Sequence, residues 1–383
     1  MKCNKPVDSV TVTLWRQEIA VKMASVWFSI QELRLHDKSG RLSLREAECL
    51  SSFIVQSENL RTVYLDLTRN EAVPLVEALS STKVQNLTIS FRGACTLQNG
   101  GRRLANALER CTSISNLRID FLSQNAQLIL LLESIPKMLG LRFFELDINY
   151  RFDKRIFDIV GQCIGGHRGE IEELKLILHD SISANPTNTS IVGLAPALRR
   201  LKVIRLHFGS RLTAWQIGEL SGIVADCDNL EEFCYNLTNF EDNTSIDDFK
   251  AMCQLWSKFP SLKRLTQLCF SSVNLGREKG RFEAFLEMVK TSNTIEEVPW
   301  VQCGNDEEEA AIKRHCCNNM MHTRIELIRE KGLLAAKVAS SAWPLILKEF
   351  SEMPDVLYYL LQQKHGAMIG PTCHGCKRKQ DFN

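Results

Sequence analysis

One apolar pattern recurs along most of this chain and limits the folds that it can adopt. Its frame is apolar-x-x-apolar-x-apolar, and ten copies begin between residues 30 and 295, about 29 residues apart on average. The first positions of these frames are Ile30, Leu60, Val84, Ile114, Leu141, Ile171, Leu201, Leu230, Leu265 and Ile295. Self-similarity at such a period is typical of repeat architectures. The pattern therefore predicts one long repeat domain rather than the two or three domains that 383 residues would suggest.

Between the frames the apolar period changes from two residues to 3.6. Apolar residues at i, i+3, i+4 and i+7 predict an amphipathic helix with one buried stripe. This spacing is found at Leu104, Ala107, Leu108 and Cys111, at Leu128, Leu131, Leu132 and Ile135, and at Phe282, Phe285, Leu286 and Val289. Each unit is therefore expected to be a short strand followed by a helix, and to bury its apolar side only by stacking on its neighbours.

The frame and its period resemble the leucine-rich repeat of the ribonuclease-inhibitor type, over about residues 30–303. The resemblance implies an α/β solenoid, or horseshoe, of about ten strand–helix repeats with a parallel concave sheet and a cap at each end. The chain departs from the family pattern three residues after the last apolar position, where the family has Asn or Cys. Only Asn149 and Cys303 keep that residue type, so the repeats are degenerate.

The two ends of the chain differ from the middle. A shortened frame at residues 7–12 predicts that the N-terminal segment caps the first repeat. Asn305 and Glu308 have the spacing of an N-cap and its N3 partner, which predicts a helix that contains Ile312 and Cys316. The predicted segments are an N-terminal cap (1–29), the solenoid (30–304), a helical C-terminal cap (305–365) and a flexible basic tail (366–383). Residues 343–361 resemble the C-terminal segment of leucine-rich repeat proteins of unicellular eukaryotes.

Composition excludes several classes of function. The net charge is +2 with both signs spread along the chain, which gives no electrostatic reason to expect nucleic acid or a membrane surface as partner. No apolar stretch approaches the ~18 residues of a membrane helix, and the N-terminus has no signal-peptide pattern. The 14 cysteines stand mostly singly in apolar frames, which favours reduced thiols. We therefore expect an intracellular, cytoplasmic protein, with a nuclear location left open.

The sequence contains no recognised catalytic or cofactor motif. A phosphate-binding loop, a nucleophile elbow and a paired-histidine zinc motif are all absent. Cys373 and Cys376 form one Cys-x-x-Cys pair, whereas a tetrahedral zinc site needs four ligands. We therefore predict no enzymatic activity, no cofactor and no metal site, and no small-molecule substrate is expected.

A surface remains as the candidate site. Residues between the apolar positions of each strand point to the opposite face and would line the concave sheet. They form a basic column between mixed and acidic ones. Either neighbouring charges neutralise each other within the sheet, or aromatic and Arg side chains anchor a partner. The candidate partner-binding residues are Arg34, Tyr64, Arg118, Phe143, Glu145, Lys175, Arg205 and His207.

These observations favour a non-enzymatic module that binds a protein partner on the concave face. Two alternatives rest on the family resemblance. One is the substrate-recognition subunit of a ubiquitin ligase, although the 29 residues before the first frame are short for an adaptor-binding motif. The other is a GTPase-activating protein resembling the Ran regulator, for which Arg61, Arg69 and Arg92 could supply an arginine finger.

Overall fold

The chain forms a single open parallel β-sheet whose strands alternate with helices. The computed structural model describes residues 9–13, 30–36, 43–67, 72–91, 100–121, 128–148, 155–179, 190–208, 214–237, 246–266, 279–292, 294–298 and 306–330. Within this part, ten strands make one sheet in which the spatial order of the strands is their order in the sequence. The predicted α/β architecture with a parallel sheet is therefore confirmed.

The strands are three to six residues long and recur at the spacing of the frames. They are β1 (Ser9–Thr13), β2 (Glu32–His36), β3 (Thr62–Leu67), β4 (Asn86–Phe91), β5 (Asn116–Phe121), β6 (Phe143–Ile148), β7 (Glu173–Leu178), β8 (Val203–Phe208), β9 (Glu232–Leu237) and β10 (Arg264–Thr266).

Helices connect successive strands from β2 onward. They are α1 (Leu44–Gln56), α2 (Ala72–Leu79), α3 (Gly100–Arg110), α4 (Leu128–Leu132), α5 (Ile156–Gly165), α6 (Ala195–Leu198), α7 (Ala214–Ile223), α8 (Ile246–Trp256), α9 (Lys279–Ser292) and α10 (Asp306–Glu330). In the described part of the chain, three 3₁₀ segments supplement them, at Ile135–Lys137, Val192–Leu194 and Val224–Asp226. No helix in the described ranges is both long enough and apolar enough to cross a membrane.

The strand register follows the apolar frames. Leu33 of β2 pairs with Val63 of β3, and the same position continues strand by strand to Phe233 of β9. The shortened frame at residues 7–12 also contributes a strand, because Val10 of β1 pairs with Leu33. The N-terminal segment therefore extends the sheet by one strand.

The ninth frame is displaced from its predicted position by three residues. The sequence pattern places its first apolar residue at Leu265, but Leu265 pairs with Phe233, which is the second apolar residue of its own frame. The N–H of Lys263 donates to the carbonyl of Glu231, so Leu262, which is fully buried, is equivalent to Leu230. The prediction was wrong because two frames overlap in this segment. The frame that begins at Leu265 has three apolar residues, but the structure uses the frame that begins at Leu262.

The hydrophobic core lies between the sheet and the helices. Inward-facing strand residues such as Leu65, Leu117 and Leu176 are fully buried, and they form one continuous cluster with the apolar stripes of the helices. One glycine allows an especially close approach: a Cβ on Gly161 of α5 would lie 1.7 Å from the carbonyl oxygen of Gly193. Any larger residue there would push neighbouring units apart.

Local chemistry explains where two of the helices begin or end. Ser43 precedes α1 and forms a capping box with Glu46, as its hydroxyl accepts from the N–H of Glu46 and the carboxylate accepts from the N–H of Ser43. Helix α4 ends at Leu132, although the apolar pattern extends to Ile135. Pro136 lacks the N–H group that an α-helix would pair with the carbonyl of Leu132, so the chain continues as a 3₁₀ turn.

Helix α10 packs on the C-terminal end of the described sheet and helices. It contains Ile312 and Cys316, as the pattern predicted, and both residues are buried. One turn further, the amide of Asn319 donates to the carbonyls of Val289 and Ile295 at 3.1 and 3.0 Å. These contacts attach α10 to α9 and to the final frame. Residues 331–383, which include the rest of the predicted cap and the Cys373–Cys376 pair, lie outside the described residues.

Candidate functional site

The sheet face opposite the helices carries polar, charged and aromatic side chains in three columns, and we call it the open face. Strand register defines the columns, because each open-face residue pairs with its equivalent on the next strand. The first column is Glu32, Thr62, Asn86, Asn116, Phe143, Glu173, Val203 and Glu232. The middle column is Arg34, Tyr64, Thr88, Arg118, Glu145, Lys175, Arg205 and Cys234. The last column is His36, Asp66, Ser90, Asp120, Asp147, Ile177 and His207.

All eight residues that the sequence singles out lie on the open face, but they do not form one cluster. Arg34 and Tyr64 lie on β2 and β3, at the N-terminal end of the sheet. Arg118, Glu145 and Lys175 lie on successive strands, β5 to β7. The remaining residues, which lie on β6 and β8 beside that group, are Phe143, Arg205 and His207.

Arg118 is the centre of a charged group on β5 and β6. Its Nε atom donates to Oδ1 of Asp120 at 2.7 Å. Its Nη1 lies 3.3 Å from Oε1 of Glu145, and its Nη2 lies 3.6 Å from Oδ2 of Asp147. One guanidinium therefore contacts three carboxylates, because the strand spacing of about 4.8 Å brings these side chains within its reach.

Further charged and polar contacts extend this group to β9. The ammonium of Lys175 lies 3.0 Å from Oε1 of Glu145, and Nε2 of His179 lies 3.2 Å from Oδ1 of Asp147. Arg205 contacts Glu173 on one side and Glu232, at 3.0 Å, on the other. We call these residues, together with His207, the charge network: Arg118, Asp120, Glu145, Asp147, Glu173, Lys175, His179, Arg205, His207 and Glu232.

The carboxylates of the charge network are buried more deeply than its cations. The side chain of Glu145 is 7% exposed, whereas that of Arg118, which contacts it, is 40% exposed. Glu232 is likewise more buried than Arg205. The basic side chains therefore lie over the acidic groups, nearer to the solvent, and pair with them. Neighbouring charges on the open face therefore neutralise one another in part, as the first of the two interpretations of the columns expects.

Burial shifts the pKa of several groups in the charge network. Desolvation raises the pKa of Asp120 in spite of the adjacent Arg118, and it raises the pKa of Asp147 in spite of His179. Desolvation and the nearby charge of Lys175 lower the pKa of His207 to about 4. At neutral pH, His207 is therefore uncharged and adds no positive charge to the network.

The N-terminal part of the open face carries fewer charges than the charge network: Arg34 pairs with Glu32, and Nδ1 of His36 lies 3.2 Å from Oδ2 of Asp66. The amide of Asn86 donates to the hydroxyl of Thr62 at 3.1 Å, and the amide of Asn116 donates to the side-chain oxygen of Asn86. The ring of Tyr64 lies 5.2 Å from that of His36, measured between centroids. This part of the face offers mainly hydrogen-bonding groups and aromatic surface, whereas charged groups predominate in the charge network.

Glu145 is the one acidic residue among the eight that the sequence singles out, and the other carboxylates of the charge network were not among them. Asp120, Asp147 and Glu232 were visible in the columns, and their alternation with Arg118 and Arg205 was the signal available. No property of the sequence indicates that one arginine would contact three carboxylates, because this depends on side-chain geometry across adjacent strands.

Other regions are weaker candidates. A groove of about 580 Å³ lies between α8 and α9. Its charged lining residues are Lys250, Glu283 and Glu287, a mixture that indicates no ligand class. Among the described residues, no group of three or more His, Cys, Asp or Glu side chains is arranged to hold a metal ion. The buried thiols of Cys111 and Cys253 have raised pKa values because of desolvation, which makes them poor nucleophiles.

No protein-family model matches the chain, and no curated protein matches it either.

Proposed function

We propose that this protein is a non-enzymatic binding module, a solenoid of the leucine-rich repeat type that holds a protein partner on its open face. One observation carries the proposal. The open face presents a continuous surface of charged, aromatic and amide side chains over β2 to β9, and many of these side chains are fixed by contacts with their neighbours. A pre-ordered surface loses little side-chain entropy on binding, which favours recognition.

Aromatic and apolar residues on the open face supply the contacts that drive protein association. Tyr64, Phe143 and Ile177 lie between polar groups and are partly exposed. Aromatic side chains near the centre of an interface contribute most of its binding energy. The charged residues around them are held by internal pairs, so they contribute specificity and orientation more than affinity.

The test is an affinity capture that compares two triple variants. The open-face variant is Tyr64→Ala, Phe143→Ala and Ile177→Ala, and the control removes three exposed apolar side chains from helical segments: Val55→Ala, Val192→Ala and Trp215→Ala. We expect a partner that the native protein and the control retain and that the open-face variant loses. Thermal unfolding establishes that both variants are folded.

The opposite result would contradict the proposal. If the control variant loses the captured partner and the open-face variant keeps it, the partner binds the helical side. Charge-reversal variants are less suitable, because Arg118→Glu would place a fourth carboxylate among the three that this arginine contacts.

A further inference from the structure

We propose that the partner presents a positively charged segment, with Lys or Arg side chains, to the part of the open face formed by β5 to β9. The inference rests on the proposed function and specifies the chemistry of the partner. It follows from the charge balance of the network, from the pairing of its cations and from the apolar residues between its charges.

The charge network has more acidic than basic groups. Five carboxylates stand against three permanent cations, an excess of two negative charges at neutral pH. The carboxylates are those of Asp120, Glu145, Asp147, Glu173 and Glu232, and the cations are Arg118, Lys175 and Arg205. The low pKa of His207 keeps it from reducing this excess. Complementary charge on a partner is the simplest way to balance it.

The cations of the network are already engaged by internal partners. Arg118 contacts three carboxylates and Arg205 contacts two. An acidic ligand would have to displace these contacts and would bring further negative charge to a face that already has an excess. Like charges brought together at an interface disfavour the wrong partner. The arrangement therefore selects against acidic segments.

Two of the carboxylates lack full compensation. Asp120 and Asp147 are directly opposite each other on adjacent strands, where like charges destabilise a sheet. Burial raises the pKa of both in spite of Arg118. A cation supplied by a ligand would relieve the repulsion between them. The unbound protein therefore contains a repulsion between carboxylates that the binding of a positive group would reduce.

Apolar side chains lie next to these charges. Phe143, Ile177 and Val203 are partly exposed on β6, β7 and β8. Lys and Arg side chains bury their aliphatic stems on such surfaces and keep the charged ends free, and the ring of Phe143 can also attract a cation. The mixture favours Lys and Arg side chains over simple inorganic cations.

Peptides of opposite charge provide the test. Residues of the network span four strand spacings, about 19 Å, which is the length of about six extended residues. The probes are two fluorescein-labelled peptides of about eight residues, one alternating Lys with Ser and the other alternating Glu with Ser. Fluorescence anisotropy measures their binding to the full-length protein.

Two matched double variants locate the binding site. Asp120→Asn and Asp147→Asn remove two charges from the network, whereas Glu283→Gln and Glu287→Gln remove two charges from α9, on the helical side. We expect the lysine peptide to bind the first variant about tenfold more weakly than the native protein and the second within about twofold of it. If the first variant does not fold, Glu173→Gln removes a more exposed carboxylate of the same network, with an expected loss of about threefold.

The pH dependence gives an independent measurement. Asp120 faces Arg118, Glu145 and Asp147, and Asp147 also faces His179. Burial raises the pKa values of Asp120 and Asp147 in the unbound protein, and a cation binds their ionised forms, so the affinity for the lysine peptide should rise as the pH increases above their ordinary value of 3.8.

Three results would overturn the inference. The first is tighter binding of the glutamate peptide, the second is equal binding of the lysine peptide to both double variants, and the third is no binding of either peptide. If the glutamate peptide binds and the open-face triple variant abolishes its binding, the proposed function stands and only the partner's charge is wrong. If the captured partner is also insensitive to the open-face variant, the proposed function itself fails.

Discussion

The two faces of the sheet are built from alternate residues of the same strands, yet different forces determine them. In β7, Leu174 and Leu176 face the helices and are fully buried, whereas Glu173 and Lys175 face the other way. Packing against the helices requires apolar residues at the two leucine positions. Many other residues would be compatible with the fold at the positions of Glu173 and Lys175. The charge network nevertheless buries carboxylates such as Glu145 almost as deeply as core residues. The open face therefore retains features that stability alone does not require.

The sharpest test of this comparison uses two adjacent phenylalanines on β6. Phe144 is fully buried in the core and Phe143 is partly exposed on the open face. We expect Phe144→Ala to reduce the free energy of unfolding by about 3–5 kcal/mol, because it leaves a cavity. Phe143→Ala should cost about 1 kcal/mol or less. Urea unfolding measures both, and equal losses would break the comparison.

Arg118 tests the energy stored in the charge network. Arg118→Gln leaves three carboxylates near one another without their shared cation. We expect a loss of about 1–3 kcal/mol at neutral pH, less than for a fully buried pair because Arg118 is partly exposed. The control Arg199→Gln breaks an exposed pair with Asp226 and should cost less than about 0.5 kcal/mol. Similar melting temperatures for the two variants would show that the network is energetically neutral.

The lowered pKa of His207, on the open face, predicts that the stability of the protein depends on pH. Its folded-state pKa of about 4 lies below its usual value of 6.5, so the unfolded chain binds the proton more readily. Its neutral form therefore stabilises the fold fully above the unfolded pKa, and this stability is lost as the pH falls. When the pH is lowered from about 7 to about 5, the free energy of unfolding of the His207→Gln variant should fall by about 1–2 kcal/mol less than that of the native protein. Parallel stability curves for the two proteins would contradict the assignment.

The smallest effect is expected at the exposed turns between helices and strands. The Nζ atom of Lys202 lies 3.1 Å from Oε1 of Glu172, and both side chains are well exposed. Lys202→Met should change the free energy of unfolding by less than about 0.5 kcal/mol, since exposed ion pairs contribute little. A loss comparable to that of Arg118→Gln would remove the distinction between network pairs and ordinary surface pairs.

Most of the fold could be predicted from the sequence because the apolar residues of the core face recur in every repeat, whereas the residues of the open face do not. Eight frames, from Ile30 to Leu230, align in the strand register as their apolar residues indicate. The ninth was misplaced because the frame that begins at Leu265 has three apolar residues, whereas the frame that begins at Leu262 has Gln267 at its third position, and only the hydrogen-bond ladder identifies the second as the one used. Apolar spacing also overestimated α4, where Pro136 prevents the helix from continuing.

For the candidate site, the sequence located the residues but not their relationships. Alternation within each strand was enough to place Arg118, Lys175 and Arg205 on one face. The depth of Glu145 and the pairing of Asp120 with Asp147 depend on how side chains of different lengths meet across strands. A pattern of single residues contains no such information, and these features decide the charge that the face presents.

The order of the strands also determines how the molecule would respond to a mechanical load. Every described strand pairs only with strands that are adjacent to it in the sequence. Pulling on the two ends would therefore peel units from the termini one at a time, instead of shearing the whole sheet at once. Each unit of about 30 residues would release roughly 100 Å of chain. The protein would then yield to force gradually, in a series of similar steps, while the units not yet reached keep their core.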